Sequence, residues 1–538
     1  MTQEKTGAGM MSLESVGDVK TLCARAAARW GGRVGLVFDE HGERLTYAEI
    51  DRRSDEISGA LHSLDVGPGD RVGVMLKNRS EFPLTWLALI KAGVVMVPVN
   101  VFYKELDARY VLEHSGARVA VTSSEFVPLL RSIRDVAEGL EHVVSVDGPA
   151  DGAAGLGTLL EAGEGPPEVP AYPESLVSIQ YTSGTTGRPK GCMLSHGFWT
   201  NKTRKHVEQP SPPLGEEDAL LTAQPFYYID PQWNFLVALA TGAPLVVLDR
   251  FHPSSFWSKV REYGVTFFFC IGAMPTLMLK MEPSPEDRDH RVRHIICSGI
   301  PKQLHRELEE RWGAPWHEWF GMTETGGDIS VKEDEHDEFV GTGCIGRPHR
   351  TREARIVDDE DRPVSRGEIG ELVLRGVGMM DGYYRNPEAT GKAFRGGWFH
   401  TEDQAWMDEE GRIFYHGRKK GRIRRSGENI SAEEVEAALE SHPGIRSAAC
   451  IPVPDVVRGE EVKAYVVLQP GETPESADPK SLENFCAGRL AYYKIPRYWE
   501  YRNKLPRTPS ERVAKHVLRD EKEDLREGSY DRADDVWR

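Results

Sequence analysis

Cysteine is scarce in this 538-residue sequence, and its seven copies form no CxxC pair. Redox and metal motifs built on paired cysteines are therefore absent from the sequence, and we expect reduced thiols in a cytoplasmic protein. No apolar run reaches the roughly 20 residues that a membrane-spanning helix needs. Met1–Lys20 also lacks the apolar segment of a signal peptide. We therefore expect a cytoplasmic protein without a membrane span.

Positive charge is also in deficit, because 67 Lys and Arg residues face 84 Asp and Glu residues, for a formal net charge of −17. Such a balance argues against nucleic acid as a partner. Apolar residues make up 39% of the chain and charged residues 28%, which is typical of a globular protein. The length is sufficient for roughly three to four domain-sized units.

Apolar runs alternate with helical patterns from about residue 45 to 300, as in layered parallel α/β structures. The strand candidates are Arg71–Leu76, Val94–Val99, Val119–Thr122, Leu245–Leu248, Thr266–Cys270 and His294–Cys297, and the helix candidates include Ser80–Ala92 and Ser254–Tyr263. From about 340 to 416, short strands separated by Gly, Pro and Asp turns indicate a small β-rich subdomain.

A basic, glycine-punctuated stretch, 417–427, precedes a change of pattern. Ser431 and Glu434 have the spacing of a capping box, which predicts the start of a helix. An alternating strand over 462–466 follows. We therefore divide the chain into a large N-terminal domain, 1–420, and a small α+β domain, 421–538. The acidic tail after Asp520 is expected to be frayed.

The segment Tyr181–Gly191 combines three glycines, several hydroxyls and two cations. Backbone freedom, donors and positive charge are what a mobile loop closing over a triphosphate requires, although a flexible surface loop is an alternative. It is not a P-loop, because two residues separate Gly187 from Lys190. Gly341–Gly346 fits GxGxxG, but it has neither a preceding strand nor a following helix, which argues against a dinucleotide site.

Five motifs occur in a fixed order: the glycine-rich loop with Lys190, Trp319–Glu324, Thr401–Asp403, Gly417–Arg418 and the turn Gly427–Ile430. In order and spacing they resemble the adenylate-forming acyl-CoA synthetases, over about Leu45 to Leu518. The segments Pro225–Tyr228, Arg458–Glu461 and Tyr493–Pro496 are most similar to the branch that includes carnitine-CoA ligase. The resemblance implies that 1–420 binds ATP and the acyl group, and that 421–538 is mobile and reorients between half-reactions.

The resemblance also implies a two-step reaction. A carboxylic acid and ATP would form an acyl-adenylate and pyrophosphate, and a thiol would then displace AMP to give a thioester. We expect this thiol to be that of coenzyme A, because no carrier domain is fused to the chain. The first step brings an anion onto a polyanion, so it needs cations and oriented donors where charge develops.

On the family pattern, the site residues fall into groups. Thr182, Ser183, Gly184, Thr185, Thr186, Gly187 and Lys190 would hold the β- and γ-phosphates of ATP, Thr323 the α-phosphate, and Glu324 the Mg²⁺ ion. Ser298, Gly299, Trp319, Phe320 and Gly321 would border adenine, Asp403 and Arg418 the ribose, and Gly427 and Glu428 the thioester-forming face. Tyr227, Tyr228, Gly272, Ala273, Met322, Gly326 and Gly327 would border the acyl pocket, where the small residues suggest room for a bulky or cyclic acid.

Structural alternatives exist for several of these residues. Glu324 could be a solvated acid, Asp403 a turn residue, and Arg418 part of a solvated basic run. Tyr227 and Tyr228 could equally be ordinary core aromatics.

The sequence departs from the family pattern near its C-terminus. The family carries a Gly-Lys pair whose lysine bridges the carboxylate and the α-phosphate during adenylation, and Glu511 and Arg512 hold these positions. Arginine keeps the charge, but its planar fork is not interchangeable with a compact ammonium. Lys515 lies one helical turn further on. At the hinge, Gly421 stands where the family usually has an acidic residue or lysine.

Three interpretations remain open. The protein could be a complete acyl-CoA ligase in which Arg512 or Lys515 replaces the missing lysine. Adenylation could be weak or lost, with acyl-AMP supplied by a separate adenylating enzyme. The chain could also be a nucleotide-binding pseudoenzyme, which the intact loop, Glu324 and Asp403 argue against. We favour weak adenylation, because the change falls on the residue that adenylation needs and thioester formation does not.

Overall fold

The structure is a computed structural model that describes residues 13–137, 139–162, 165–182, 189–271, 274–300, 302–418, 422–506 and 513–538. Its α-helices are α1 (Val19–Trp30), α2 (Tyr47–His62), α3 (Glu81–Lys91), α4 (Glu105–Ser115), α5 (Val127–Arg134), α6 (Leu156–Ala162), α7 (His196–Glu208), α8 (Ile229–Thr241), α9 (Phe256–Glu262), α10 (Met274–Leu279), α11 (Lys302–Trp312), α12 (His336–Phe339), α13 (Pro387–Ala393), α14 (Ala432–Glu440), α15 (Pro479–Ala487) and α16 (Lys515–Asp520). Short 3₁₀ turns lie at Ser124–Phe126, Glu333–Glu335 and Arg395–Gly397.

The strands of the described residues are β1 (Val34–Phe38), β2 (Glu43–Thr46), β3 (Arg71–Met75), β4 (Val95–Pro98), β5 (Val119–Thr122), β6 (His142–Ser145), β7 (Ala154–Gly155), β8 (Leu176–Thr182), β9 (Lys190–Ser195), β10 (Leu220–Thr222), β11 (Leu245–Val247), β12 (Phe267–Ile271), β13 (His294–Ser298), β14 (Trp316–Phe320), β15 (Ile329–Ser330), β16 (Cys344–Pro348), β17 (Arg352–Val357), β18 (Gly370–Gly376), β19 (Phe399–Met407), β20 (Ile413–Arg418), β21 (Arg422–Arg425), β22 (Glu428–Ser431), β23 (Ile445–Asp455), β24 (Gly459–Leu468), β25 (Tyr498–Tyr501), β26 (Tyr530–Asp531) and β27 (Val536–Trp537).

These strands form three sheets. The first has the order β17-β18-β19-β20-β16-β15-β14-β13-β12-β10-β11-β1-β2, and the second has the order β7-β6-β5-β3-β4-β8-β9. The third sheet has the order β22-β21-β24-β25-β26-β27, with β23 paired to β24. The expected architecture is confirmed: a large α/β region is followed by a smaller α+β region.

Each of the first two sheets contains a block of parallel strands, and the apolar runs of the sequence predicted many of them. In the second sheet, β3 pairs with β4 and β5 in parallel, and all four residues of β4 and of β5 are buried. A parallel sheet is covered on both faces, so its strands read as continuous apolar runs. This explains why these strands were visible in the sequence.

The β-rich segment is continuous with the first sheet. Its strand β16 pairs with β15 on one side and with β20 on the other, both antiparallel. Through β15 the segment joins the edge of β14. The local turns predicted the strands correctly, but the pairing across β15 was not predictable from them.

The acidic tail is ordered, and the expectation that it is frayed was wrong. Strands β26 and β27 pair with each other, and β26 pairs with β25. Asp531 is fully buried and accepts hydrogen bonds from the guanidinium groups of Arg497 and Arg538. Two arginines thus compensate the buried carboxylate, which stabilises this end of the third sheet.

The third sheet has its own apolar core, and α14 illustrates how it forms. Ser431 caps the helix by accepting a hydrogen bond from the backbone nitrogen of Glu434 at 3.3 Å, as its spacing predicted. Val435 and Leu439 are buried against β23 and β24. All seven cysteines are buried, and none of them forms a disulfide. No helix of the described residues is long and apolar enough to cross a membrane.

Candidate active site

A cavity of about 500 Å³ lies where the three sheets meet. Its walls come from the carboxyl ends of β8, β12, β13 and β14, from the start of α8, and from two segments of the third sheet's domain. Ligands of α/β proteins bind at such strand ends. The predicted site residues that line it are Thr182, Tyr227, Tyr228, Ser298, Trp319, Gly321, Met322, Thr323, Glu324, Gly427 and Glu428.

Glu324 is the centre of a polar cluster at one end of the cavity. It is 4% exposed, and its Oε1 accepts hydrogen bonds from Thr182 Oγ1 at 3.4 Å and from Tyr383 Oη at 3.1 Å. Lys190, which lies opposite Thr182 in the β8–β9 pair, places its ammonium 5.1 Å from the centre of the Tyr383 ring. Carboxylate and hydroxyl oxygens beside a cation suit a magnesium ion and its bound phosphates.

The rest of the glycine-rich loop lies outside the described residues, including Ser183, Gly184, Thr185, Thr186 and Gly187. Its two ends are described, and the pairing of Thr182 with Lys190 brings them together at the Glu324 cluster. The loop therefore starts and ends beside the group that the family pattern assigns to Mg²⁺.

Residues of β14 and the position after it face the cavity and the apolar core in turn. Trp319 and Gly321 line the cavity, whereas Phe320 is buried in the core beneath β16 to β20. Alternation along the strand makes this division unavoidable. Substitution of Gly321 by a larger residue would require a backbone shift, because a Cβ at this position would lie 2.7 Å from the Cα of Gly327.

Glu318 fixes the loop that follows β13. Its two carboxylate oxygens accept hydrogen bonds from the backbone nitrogens of Gly299 at 2.9 Å and Ile300 at 3.0 Å. Burial raises the pKa of Glu318 to about 7. Gly299 itself has a positive φ of 87° and supports the position of Ser298 at the cavity wall. The sequence analysis did not single out Glu318.

Asp403 is fully buried on β19, opposite Arg418 of β20 in the strand register. It accepts a hydrogen bond from Tyr415 Oη at 3.3 Å. The described lining of the cavity does not include Asp403. The backbone register thus brings Asp403 and Arg418 together.

Gly326 and Gly327 lie behind the cavity wall. A Cβ at Gly326 would lie 2.9 Å from the ring of Phe198, and one at Gly327 would lie 2.6 Å from the ring of Trp319. Their carbonyl oxygens accept hydrogen bonds from the buried ammonium groups of Lys202 and Lys205, each at 2.9 Å. Aromatic rings therefore fill the space that these glycines leave.

Gly272 and Ala273, the other small residues of the predicted acyl pocket, lie outside the described residues. The described part of this pocket is aromatic and apolar, with Trp233, Phe269, Ile271 and Met274 near Tyr227. Lys202 also lines the cavity, and burial lowers its pKa to about 8. The described wall of this pocket is therefore mostly apolar, with the cationic Lys202 among its lining residues.

The third sheet's domain closes the cavity from the opposite side. Tyr228 Oη donates to the carboxylate of Glu428, at 2.7 Å from Oε1 and 2.6 Å from Oε2. Asn100 Nδ2 donates to Tyr228 Oη at 2.9 Å and to Tyr493 Oη at 3.3 Å. Burial raises the pKa of Glu428 to about 7, although its bond with Tyr228 acts in the opposite direction. The turn at Gly427, with a φ of 91°, is thus docked onto the cavity.

A buried ion pair reinforces this docking. Lys494 Nζ lies 3.5 Å from Asp107 Oδ2 on α4 and contacts Glu434 on its own domain more closely. Burial alone would lower the pKa of Lys494, but the carboxylates of Glu434 and Asp107 more than offset it and raise that pKa. The lysine therefore links the two domains as a charged group.

Of the two residues considered for the missing adenylation lysine, the structure describes Lys515. Arg512 and the hinge residue Gly421 lie outside the described residues. Lys515 starts α16, and its ammonium lies 2.7 Å from Glu436 Oε1 within the C-terminal domain. The described lining of the cavity does not include Lys515.

A second cavity, of about 260 Å³, lies next to Tyr492, which also lines the first cavity. It is lined by Arg425, Arg458, Arg497 and Arg532. The carboxylate of Glu461 is shared by Arg425 Nε at 2.6 Å and Arg458 Nε at 3.2 Å. Burial and the neighbouring Arg425 lower the pKa of the Arg458 guanidinium. Such a cluster of planar cations suits phosphate groups.

Several residues in or beside these cavities were not predicted from the sequence. Tyr383 and Asn100 stand in no motif, and their roles depend on contacts between distant segments. Lys494 and Arg458 were noticed only as parts of segments similar to one branch of the family. Their basic character in otherwise apolar or acidic surroundings was the signal available in the sequence.

Comparisons with known proteins match both parts of the chain. The family model described as "AMP-binding enzyme" matches residues 23–384, and the one described as "AMP-binding enzyme C-terminal domain" matches residues 434–512. Crotonobetaine/carnitine–CoA ligase of Salmonella typhimurium is 31% identical over 508 residues, covering 92% of this chain and 97% of that protein. Its Escherichia coli (strain SE11) counterpart is 31% identical over 505 residues, covering 91% and 96%.

Solved structures of one enzyme differ in how well they match this chain. A double mutant of o-succinylbenzoate CoA synthetase from Bacillus subtilis, bound to a product analogue, has a TM-score of 0.81 at 26% identity, covering 93% of this chain and 98% of its own. The same enzyme with its acyl-adenylate intermediate has a TM-score of 0.66 at 26% identity, covering 92% and 97%. With coverage nearly equal, the first structure is thus more similar to this chain than the second.

Proposed function

Because the chain belongs to the AMP-binding enzyme family, as an acyl-CoA synthetase that works through an acyl-adenylate, we propose that it is best built for the thioester-forming half of this reaction. In this proposal the enzyme forms acyl-CoA readily from acyl-AMP and CoA, and adenylates its acid slowly. The observation that carries the proposal is the docking of the Gly427–Glu428 turn onto the cavity through Tyr228.

The comparison structures support the assignment of the docked Gly427–Glu428 turn to thioester formation. The better match is to the enzyme bound to a product analogue, and the weaker match is to the same enzyme holding its acyl-adenylate. On the family pattern, the turn at Gly427 serves thioester formation and the segment around Arg512 serves adenylation. The docked turn is therefore the one that the second half-reaction requires.

The nucleotide side of the cavity retains the groups that adenylation needs, apart from the lysine. Glu324 would hold a Mg²⁺ ion together with ATP phosphates, while Lys190 and the hydroxyl of Thr182 would contact those phosphates. A bound Mg²⁺ neutralises charge that develops on the phosphate oxygens. This polar cluster argues against a pseudoenzyme, and it leaves Arg512 as the change that slows the first half.

We propose a compact carboxylic acid as the substrate. The cavity of about 500 Å³ has to hold the whole acyl-adenylate, and the rings of Phe198 and Trp319 fill the space beside Gly326 and Gly327. This disfavours the bulky or cyclic acid that the glycines suggested in the sequence. Crotonobetaine and carnitine, which appear in the names of the relatives, are compact acids and belong in the first set tested.

The test is a pair of assays on the wild-type chain and the Arg512→Lys variant. One assay follows acid-dependent release of pyrophosphate from ATP, and the other follows acyl-CoA formation from synthetic acyl-AMP. We expect Arg512→Lys to raise pyrophosphate release about tenfold or more, since a compact ammonium fits between two anions where a planar fork does not. Thioester formation should change by less than about threefold, because it does not use this residue.

Three outcomes can be distinguished. Thioester formation without detectable pyrophosphate release would mean that a separate enzyme supplies the acyl-AMP. Equal rates in both assays, with no gain from Arg512→Lys, would show a complete ligase and contradict slow adenylation. Loss of thioester formation in the wild-type chain would contradict the proposal as a whole. Lys515→Met in the Arg512→Lys background is the control, because Lys515 is engaged by Glu436.

The arginine-lined cavity is assigned to the phosphate groups of CoA. Arg458→Gln should raise the KM for CoA by about tenfold to a hundredfold, as expected for losing a hydrogen bond to a charged group. The value of kcat at saturating CoA should stay unchanged. Pantetheine, which lacks the nucleotide phosphates, should react equally well with both chains. Steady-state kinetics with the two thiols measure this.

Arg526→Gln is the matched control, because Arg526 is exposed and paired with Asp524 on the same domain. It should leave the KM for CoA within about threefold of wild type. An unchanged KM for CoA in Arg458→Gln, or an equal loss with pantetheine, would show that the arginine cavity does not bind the CoA phosphates.

A further inference from the structure

Two imidazoles and one carboxylate converge on one face of the first sheet, away from the lining of the main cavity. His294 is the first residue of β13, and His317 is the second residue of β14. The parallel register places Ile296 opposite His317, so the side chains of His294 and His317 lie on the same face. Glu333, at the start of a 3₁₀ turn, reaches this face from the segment after β15.

The two distances from the Glu333 carboxylate to the imidazoles match the separation of ligands around a small ion. Glu333 Oε2 lies 3.4 Å from His294 Nδ1 and 3.4 Å from His317 Nε2. Direct N–H···O bonds are shorter, at roughly 2.7–3.2 Å. Two ligands at about 2.0–2.1 Å from a tetrahedral zinc ion are separated by about 3.3–3.4 Å. The carboxylate oxygen therefore stands at a ligand-to-ligand distance from both imidazoles.

Three imidazole nitrogens of this group have no hydrogen-bond partner within the described residues. His317 is fully buried, and neither of its ring nitrogens has a hydrogen-bond partner there. His294 is 1% exposed, and its Nε2 is also without a partner in the described part of the chain. Buried polar atoms are costly when they have no partner. A bound ion would satisfy His317 Nε2, which points toward Glu333.

A neighbouring group, also of two histidines and one glutamate, differs in its hydrogen bonding. His305, Glu309 and His336 also bring two imidazoles and a carboxylate together. His336 Nε2 is 2.6 Å from Glu309 Oε1, and His305 Nε2 is 2.7 Å from the carbonyl oxygen of Trp316. Direct hydrogen bonds satisfy this second group, so it has no need of an ion.

We propose that His294, His317 and Glu333 form a binding site for a divalent transition-metal ion of the zinc type. Two imidazoles and one carboxylate suit Zn²⁺ and Co²⁺ better than Mg²⁺ or Ca²⁺, which prefer sets of oxygen ligands. The side chain of Glu333 is 37% exposed, so the ion can enter from solvent and water can take the fourth position. This site is separate from the Mg²⁺ position assigned to Glu324.

The ion would link β13 to β14 and to the turn beyond β15. Strand β13 ends at Ser298, and β14 continues into Trp319 and the Thr323–Glu324 pair. Both strands therefore carry the walls of the nucleotide site at their far ends. The role that follows is structural: the ion would stabilise the strands that position the site, without contact with the reacting atoms.

The test is titration of the tag-free, EDTA-treated full chain with Co²⁺, because tetrahedral Co²⁺ has intense visible absorption bands. We expect one equivalent of Co²⁺ to bind with these bands and to be displaced by Zn²⁺. Zn²⁺ should also raise the melting temperature of the EDTA-treated chain. Glu333→Gln should weaken Zn²⁺ binding by about a hundredfold or more and abolish the shift in melting temperature, since it removes the one anionic ligand.

Glu309→Gln is the matched control, because it changes the same residue type in the neighbouring group. It should bind Co²⁺ with an affinity within about threefold of wild type. His294→Gln provides a second ligand variant, and circular dichroism checks that each variant is folded. Absence of Co²⁺ and Zn²⁺ binding by wild type at micromolar concentrations would overturn the proposal. Binding that survives both ligand variants would mean an adventitious ion only, and would overturn it too.

Discussion

Glu324→Gln is expected to lower acid-dependent pyrophosphate release by about a hundredfold to a thousandfold, the range found when an enzyme loses a group that stabilises developing charge. Glutamine keeps the shape of the side chain and can still accept from Thr182 and Tyr383. It removes the negative charge that would hold Mg²⁺ beside the phosphates. Initial rates should be measured in whichever of the wild-type and Arg512→Lys chains releases pyrophosphate faster.

The same variant should form acyl-CoA from synthetic acyl-AMP at a rate within about threefold of its parent, because this step involves no pyrophosphate. Tyr383→Phe is the matched control. It removes the hydrogen bond of 3.1 Å to Glu324 and keeps the ring beside Lys190, so it should slow pyrophosphate release by about tenfold at most. Equal loss in both half-reactions would contradict the assignment of Glu324, and so would full retention of pyrophosphate release.

Lys494→Met is expected to cause a large loss of thioester formation and little loss of pyrophosphate release, which is the opposite of the result expected for Glu324→Gln. The lysine side chain is 3% exposed and stands between Asp107 and Glu434, which are 8% and 12% exposed. Removing one partner of a buried ion pair costs about 3–5 kcal/mol, because a charge is left uncompensated. At about 1.4 kcal/mol for each factor of ten, the docked population falls by at least about a hundredfold. Rapid-mixing measurements of acyl-CoA formation from acyl-AMP would follow this loss.

Pyrophosphate release by Lys494→Met should stay within about threefold of wild type, because adenylation uses another orientation of the C-terminal domain in the family. Lys480→Met is the matched control. Lys480 is 64% exposed and pairs with Asp535 at the surface of the same domain, so its loss should have an effect of at most about threefold. A parallel fall in both half-reactions would show that Lys494 stabilises the fold, and unchanged thioester formation would show that docking does not depend on it.

The sequence predicted the strands and helices that are determined by their own or adjoining residues. Strands such as Val119–Thr122 were visible because they are apolar along their whole length, and the helix after Ser431 was visible because its cap lies in the adjoining residues. The ordered acidic tail was missed because its stability depends on Arg497, 34 residues before Asp531. Charge density alone gave no sign of that pairing.

The candidate site was predicted as a set of motifs, while the contacts that organise it were not. Thr182 and Glu324 were assigned together from the family pattern, and they lie in contact although 142 residues separate them. Tyr383 joins them from a third segment, and Asn100 contacts Tyr493 across 393 residues. Such contacts depend on how the sheets assemble, which no spacing along the chain encodes.

The packing of the cysteines has a consequence for chemical selectivity. An acyl-adenylate is a reactive electrophile that any accessible thiolate can intercept. All seven cysteines are buried, and burial raises the pKa of Cys344 to about 11 and that of Cys486 to about 12. All seven thiols are thus hidden, and those whose pKa burial raises stay protonated at neutral pH. The thiol of the incoming cofactor therefore meets no exposed cysteine of the chain as a competitor for the activated acyl group.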